Sequence, residues 1–345
     1  MTTSLPPNAP QRMLWVDASK GICILLVVMF HATSHVSREM GAGGVFEAIT
    51  RFSAPFRMPD FFLISGLFLA RRIAAPLSVY LDRKVLHFFY FYWIWIAITF
   101  FVLTPGLSQG QDVFLRNLSV ALVYPWGPLW FIYFLPICFV VTRALAALPR
   151  VLVFAGALLA HAFHVEGEPL ILVYFTHYYV FFFTGFWAAP LIFKMADRVA
   201  ASSLPVLAVV GVWTLVNGWL VFTGYADDLP GLTYLLGLAG GLVLASISAI
   251  IQHTRVGALL AALGNRSLVV FLAFFIPLRI AEQVFMSVDL LPKDIVIALS
   301  IAVGVAAPLI LFWIIQRIGF GSFLFERPAW ARLGGQHKSH VPYRS

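Results

Sequence analysis

The chain has 345 residues, of which 61% are hydrophobic, 16% aromatic and only 11% charged. Soluble domains carry roughly 25% charged residues, so this composition excludes an ordinary soluble protein and points to a polytopic membrane protein. The net charge of +8 calls for no nucleic acid partner, because basic residues of membrane proteins gather in cytoplasmic loops.

Residues 1–11 are rich in Pro and polar residues and read as a disordered tail. They lack the basic n-region of a signal peptide, and no small-residue cleavage pattern follows the first apolar run, so that run is expected to stay as an anchor. Residues 12–326 read as one membrane domain and 327–345 as a loose basic tail. Apolar runs of spanning length recur at 21–38, 55–72, 86–104, 128–147, 150–165, 171–193, 204–223, 231–251, 258–285 and 295–318. The expected fold is therefore all-α, a transmembrane bundle of about ten spans. The run 150–165 is short; 258–285 is long and carries Arg266, Arg279 and Glu282. With the N-terminus inside and the spans alternating, 16 of the 23 basic residues fall on the inner side and 5 on the outer, the other 2 lying in the ninth span. The positive-inside rule then places both termini in the cytoplasm.

The first span is entered through Asp17 and Lys20 and carries His31, Ser34 and His35 where lipid would favour Leu. Ionisable groups inside a membrane are costly and mark functional sites by default. On a helix, Lys20 and His31 lie about 16 Å apart. With Lys20 at one interface, His31 sits about halfway through a hydrocarbon core of roughly 30 Å. A histidine there either bonds to a neighbouring helix and shapes packing, or takes a proton from a hydroxyl and hands it on. His31 and His35, four apart, also suit a metal, but no second matched ligand pair stands out, and no metal is expected. Asp17 and Lys20, three apart, face each other on one helix as an interfacial ion pair.

In the second span Arg57 and Asp60 are again three apart, beside Pro59, and read either as a buried salt bridge or as lining the cavity of His31. Gly66 allows a neighbouring helix to approach closely. Arg71, Arg72, Arg83 and Lys84 suffice as topology determinants; the second reading is capture of phosphates, for which the guanidinium fork is suited. No Gly-rich phosphate loop is present. Trp126 and Trp130 stand where aromatic anchors are common, and Trp130 also suits a cavity wall. Arg279 and Glu282 read as a structural pair near the outer side. Cys23 and Cys138 lie in apolar runs and read as small hydrophobes without a disulfide.

Three of these segments, with Gly264-Asn-Arg-Ser-Leu268, carry a resemblance. A basic residue, ten residues, then a histidine (Lys20 to His31) resembles the first-helix signature of the integral-membrane acyltransferase family 3. Phe56-Arg-Met-Pro-Asp-Phe-Phe-Leu-Ile-Ser-Gly66 is similar to its second signature, Leu129-Trp-Phe131 to a middle-span segment and Gly264–Leu268 to the opening of a late span. Two positions depart from the pattern: Asp60 stands where an apolar residue is usual, and residues 269–275 lack a histidine that many members carry.

The resemblance implies an enzyme of the cell membrane that moves an acyl group, acetyl or succinyl, from cytoplasmic acyl-CoA to a hydroxyl of a sugar, glycan or lipid-linked saccharide. Acyl-CoA is then a co-substrate and no bound cofactor is expected. His31 becomes the general base, with Lys20 and Arg57 as charge-stabilising groups. Asp17, His35, Asp60 and Trp130 become substrate contacts, and Arg71, Arg72, Arg83 and Lys84 contacts to the CoA phosphates. A transporter or flippase would also have about ten spans with intramembrane charges. Paired broken helices in two related halves would favour it, and no such pair is visible.

Overall fold

The structure, a computed structural model, describes residues 13–70, 72–103, 111–163, 165–167, 169–201, 203–225, 231–288 and 290–333. The predicted disordered tail 1–11 and the candidate phosphate contact Arg71 lie outside these residues. Among the described residues all regular structure is helical. Seven helices are long and apolar enough to cross a membrane, or eight with one bent pair counted as a span.

The first two helices form the centre. Helix α1 (Leu14–Met40) is buried on more than one face, through residues such as Val16, Ile24, Val28, Ala32 and Val36. It packs against α2 (Val45–Leu69), α11 (Leu232–Ile251), α12 (Arg255–Asn265) and α15 (Lys293–Ile318). Helix α2 packs in turn on α8 (Leu170–Trp187) and α11. Small residues set both closest approaches. A Cβ on Gly66 would overlap the Phe182 carbonyl, and one on Gly185 the Leu63 carbonyl, so α2 and α8 touch backbone to backbone. Gly264 against Asp17 and Gly21 against Leu260 do the same for α12 and α1. Without a hydrophobic drive between helices in lipid, such close contact is a main source of association.

The remaining helices surround this centre. They are α3 (Leu77–Leu81), running through a π-helical turn Asp82–Leu86 into α4 (His87–Leu103), then α5 (Gln111–Val123), α6 (Trp130–Ala144), α7 (Arg150–Ala162), α9 (Ala189–Ala201), α10 (Ser203–Thr223), α13 (Ser267–Ala273) and α14 (Phe275–Met286). Helix α10 is almost bare to lipid; Asn217 ties it to the Phe52 carbonyl of α2 at 3.0 Å.

Three expectations change. The long run 258–285 is not one helix but three, with α12 and α13 bent by 57°. Arg266 leaves helical geometry at the first break (φ −106°, ψ 14°). Near the second, Pro277 in the first turn of α14 has no N–H to return to α13. The run 171–193 divides at Ala188, after which α9 continues as an amphipathic helix burying Ala189, Ile192, Ala196 and Val199. The start of the expected loose tail is docked. Arg327 is buried and donates to Asp82 Oδ2 at 2.5 Å and to the Asp82 carbonyl at 2.9 Å, and the Leu333 N–H meets Asp82 Oδ1 at 2.7 Å. A buried guanidinium costs several kcal/mol unless paired in this way, which holds residues 327–333 against the π turn.

Candidate active site

His31 lies in α1 against the break between α13 and α14. Its ring centroid is 5.3 Å from Phe274, 5.9 Å from Phe275 and 5.1 Å from Phe30. Phe274 at this junction keeps right-handed helical dihedrals (φ −67°, ψ −30°), so the chain passes the histidine as a helix that lacks only the bond Pro277 cannot donate.

Two guanidinium groups flank this cage. Arg57 of α2 places its Cζ 4.1 Å from the Phe30 centroid, and Arg279 of α14 places its Cζ 4.8 Å from the Phe275 centroid. Each cation thus stacks on a ring that itself touches His31. Arg57 is buried and donates to the Thr50 carbonyl at 3.1 Å and Ser53 Oγ at 3.4 Å. Arg279 donates to Glu282 Oε2 at 2.7 Å, and His35 Nδ1 stands 2.9 Å from the same oxygen. Glu282 is fully buried and its Oε1 has no partner among the described residues.

Arg279 and Glu282 do pair, as their spacing suggests, but the pair is part of a three-member cluster with His35 beside His31. The sequence signal available was their position at the outer end of the ninth span, level with His35 at the outer end of the first.

The other candidates separate into groups. Arg57 and Asp60 do not pair. Asp60 turns to α1, where Cys23 Sγ donates to its Oδ2 at 2.7 Å, and both residues are buried. Positions three apart share a helix face, but each side chain takes another partner: Thr50 and Ser53 for Arg57, Cys23 for Asp60. Cys23 is therefore a hydrogen-bond donor and not only a small hydrophobe. Lys20 lies 3.5 Å from Asp17 and covers Phe68, three turns below His31; it does not reach the imidazole. Arg72, Arg83 and Lys84 stay at the α2–α4 connection, the last over the Phe139 ring at 4.6 Å.

Trp130 stacks on Tyr174 with centroids 4.3 Å apart and also contacts Tyr178 and Phe131. Phe131 meets Phe271, which meets Phe274 of the cage. An aromatic wall thus runs from Trp130 to His31.

The arrangement defines a helical membrane protein with a half-buried imidazole beside two stacked cations, chemistry suited to proton transfer next to a developing anion. A family model described as an acyltransferase domain, Acyl_transf_3, matches residues 13–317, and the chain belongs to that family. The chain is also 33% identical over 90 residues to the inner membrane protein YcfT of Escherichia coli (strain K12), a match covering 23% of this chain and 25% of that protein. The match thus spans about a quarter of that relative's length. No solved structure matches the chain.

Proposed function

We propose that this acyltransferase is an inner-membrane enzyme that takes an acyl group, acetyl or succinyl, from cytoplasmic acyl-CoA and gives it to a hydroxyl of a sugar, glycan or lipid-linked saccharide. The observation that carries this reading is His31 at membrane depth, caged by aromatic rings on which Arg57 and Arg279 stack. His31 takes the proton of the acceptor hydroxyl as its oxygen attacks the thioester carbonyl. The tetrahedral oxyanion is stabilised by the guanidinium groups, whose worth rises where water is excluded. The C–S bond then breaks, and the imidazolium returns the proton to the thiolate of CoA.

In this reading the chain has ten spans with both termini cytoplasmic. Arg71, Arg72, Arg83 and Lys84 meet the CoA phosphates, and Asp17 with Lys20 marks the donor entry. The acceptor approaches from the other face past His35 and along the aromatic wall at Trp130. Asp60, turned to Cys23, shapes the α1–α2 seam beside the site. A transporter is not favoured: among the described residues only one helix pair is bent as a broken span, whereas inverted repeats pair such helices in two halves.

The test uses membrane vesicles holding wild type or His31→Ala at equal inserted amounts. Labelled acetyl-CoA, then succinyl-CoA, is supplied on the cytoplasmic face with envelope material as acceptor. Label moves with wild type and falls by at least about a hundredfold in the variant. Equal labelling removes His31 from the chemistry, and silence of wild type with every donor tried removes acyl transfer.

A further inference from the structure

A groove between α9 and α10 lies away from His31 and has no role in the reaction proposed above. Its volume is about 400 Å³, and its walls are Met195 and Val199 from α9 and Pro205 and Val206 from the first turn of α10. Leu191 and, one turn apart on α9, Lys194 and Arg198 complete the lining. Both side chains are exposed, and neither forms an ion pair among the described residues. Asp197 is the nearest acid in sequence and is also exposed.

Depth in the membrane follows from the neighbours. Leu204–Thr223 is a spanning segment, so Pro205 and Val206 lie where hydrocarbon begins. Phe193 packs edge-on against Trp15 at 5.9 Å. The groove is therefore at the end of the bundle where α1 starts, which the charge distribution assigns to the cytoplasmic leaflet. Two free cations at headgroup level stand over an apolar trough open to lipid. A soluble anion would use the cations and leave the trough empty; a neutral lipid would fill the trough and leave the cations unmatched. An anionic phospholipid matches both.

We propose that this groove is a binding site for one anionic phospholipid, its headgroup phosphate held by Lys194 and Arg198 and its upper acyl chain lying on Met195, Val199, Pro205 and Val206. The site would favour anionic membranes and fix α9 against the nearly bare α10.

The experiment uses the full chain purified in detergent, with native mass spectrometry to count bound lipid and thermal unfolding to read stabilisation. Probes are phosphatidylglycerol, phosphatidylcholine and inorganic phosphate. Wild type is expected to retain one phosphatidylglycerol and to melt higher with it than with phosphatidylcholine. Lys194→Gln/Arg198→Gln is expected to weaken phosphatidylglycerol binding about thirtyfold, at roughly one surface cation's attraction per residue removed. Val206→Trp, which fills the trough and keeps both cations, is expected to weaken it as well. Arg255→Gln, an exposed cation at the start of α12, is expected to change nothing. Equal loss in Arg255→Gln overturns the proposal in favour of general charge attraction. Unchanged binding in the double variant overturns it outright, and so does stabilisation by inorganic phosphate equal to that by the lipid.

Discussion

Replacing Glu282 by Gln keeps its volume and removes the charge that holds Arg279 and stands beside His35. Arg279 would remain on the Phe275 ring but lose its anchor at 2.7 Å. If this cation faces the oxyanion, turnover should fall about tenfold to a hundredfold, with the KM for acyl-CoA unchanged, because the proposed phosphate contacts Arg72, Arg83 and Lys84 belong to a different part of the chain. Steady-state kinetics in vesicles checks this. Unchanged turnover with less inserted protein would return Glu282 to a packing role. A second residue-scale prediction concerns Cys23. Cys23→Ala leaves the buried Asp60 without its donor and should cost about 1–3 kcal/mol, whereas Cys23→Ser restores a donor and should recover most of it. Thermal unfolding in detergent compares the two. Neither cluster was readable from sequence in full. Spacing along one helix suggested Arg57–Asp60 and Arg279–Glu282, but the partners that decide their geometry, Cys23 and His35, come from another helix.

At the scale of elements, apolar runs were legible because lipid demands continuous hydrophobic stretches, and every expected run holds helix. The break at 274 was not, because Leu and Phe continue through it and only Pro277 stands near; the break at 266 was marked by the polar stretch Gly264-Asn-Arg-Ser267, which was read as lying within one span. Helix α5, inside the expected connection between two spans, was missed for the opposite reason: Gln111, Asp112, Arg116 and Asn117 make it too polar to read as a span. Close approach at Gly66 was legible, its partner α8 was not. Gly66→Ala must push the Phe182 carbonyl away and should destabilise by about 3 kcal/mol. Gly156→Ala on α7 has open space around its Cβ and should stay within about 0.5 kcal/mol of wild type. Similar melting of both variants would show that α2 and α8 can part without penalty.

For the whole molecule, the proposed reaction requires a direction, since a cytoplasmic acyl-CoA and an envelope glycan would approach from opposite faces. Along α1 and its neighbours the Asp17–Lys20 pair is followed three turns on by His31, and then by His35 with Glu282 and Arg279. The docked segment 327–333 adds Arg327 and Arg332 to the end that holds Arg83 and Lys84, through the hub at Asp82. That end therefore concentrates positive charge, which the positive-inside rule assigns to the cytoplasmic side and which would suit the phosphates of the proposed donor. Cysteines introduced singly at Arg198 and at Glu47 separate the two faces, because Arg198 is exposed and Glu47 half-buried, while Cys23 and Cys138 are buried. In intact cells an impermeant maleimide should label Glu47→Cys and spare Arg198→Cys until the membrane is opened. The reverse pattern would put the basic end outside, separate the Arg72–Lys84 cluster from acyl-CoA, and leave His31 with no donor that it could reach.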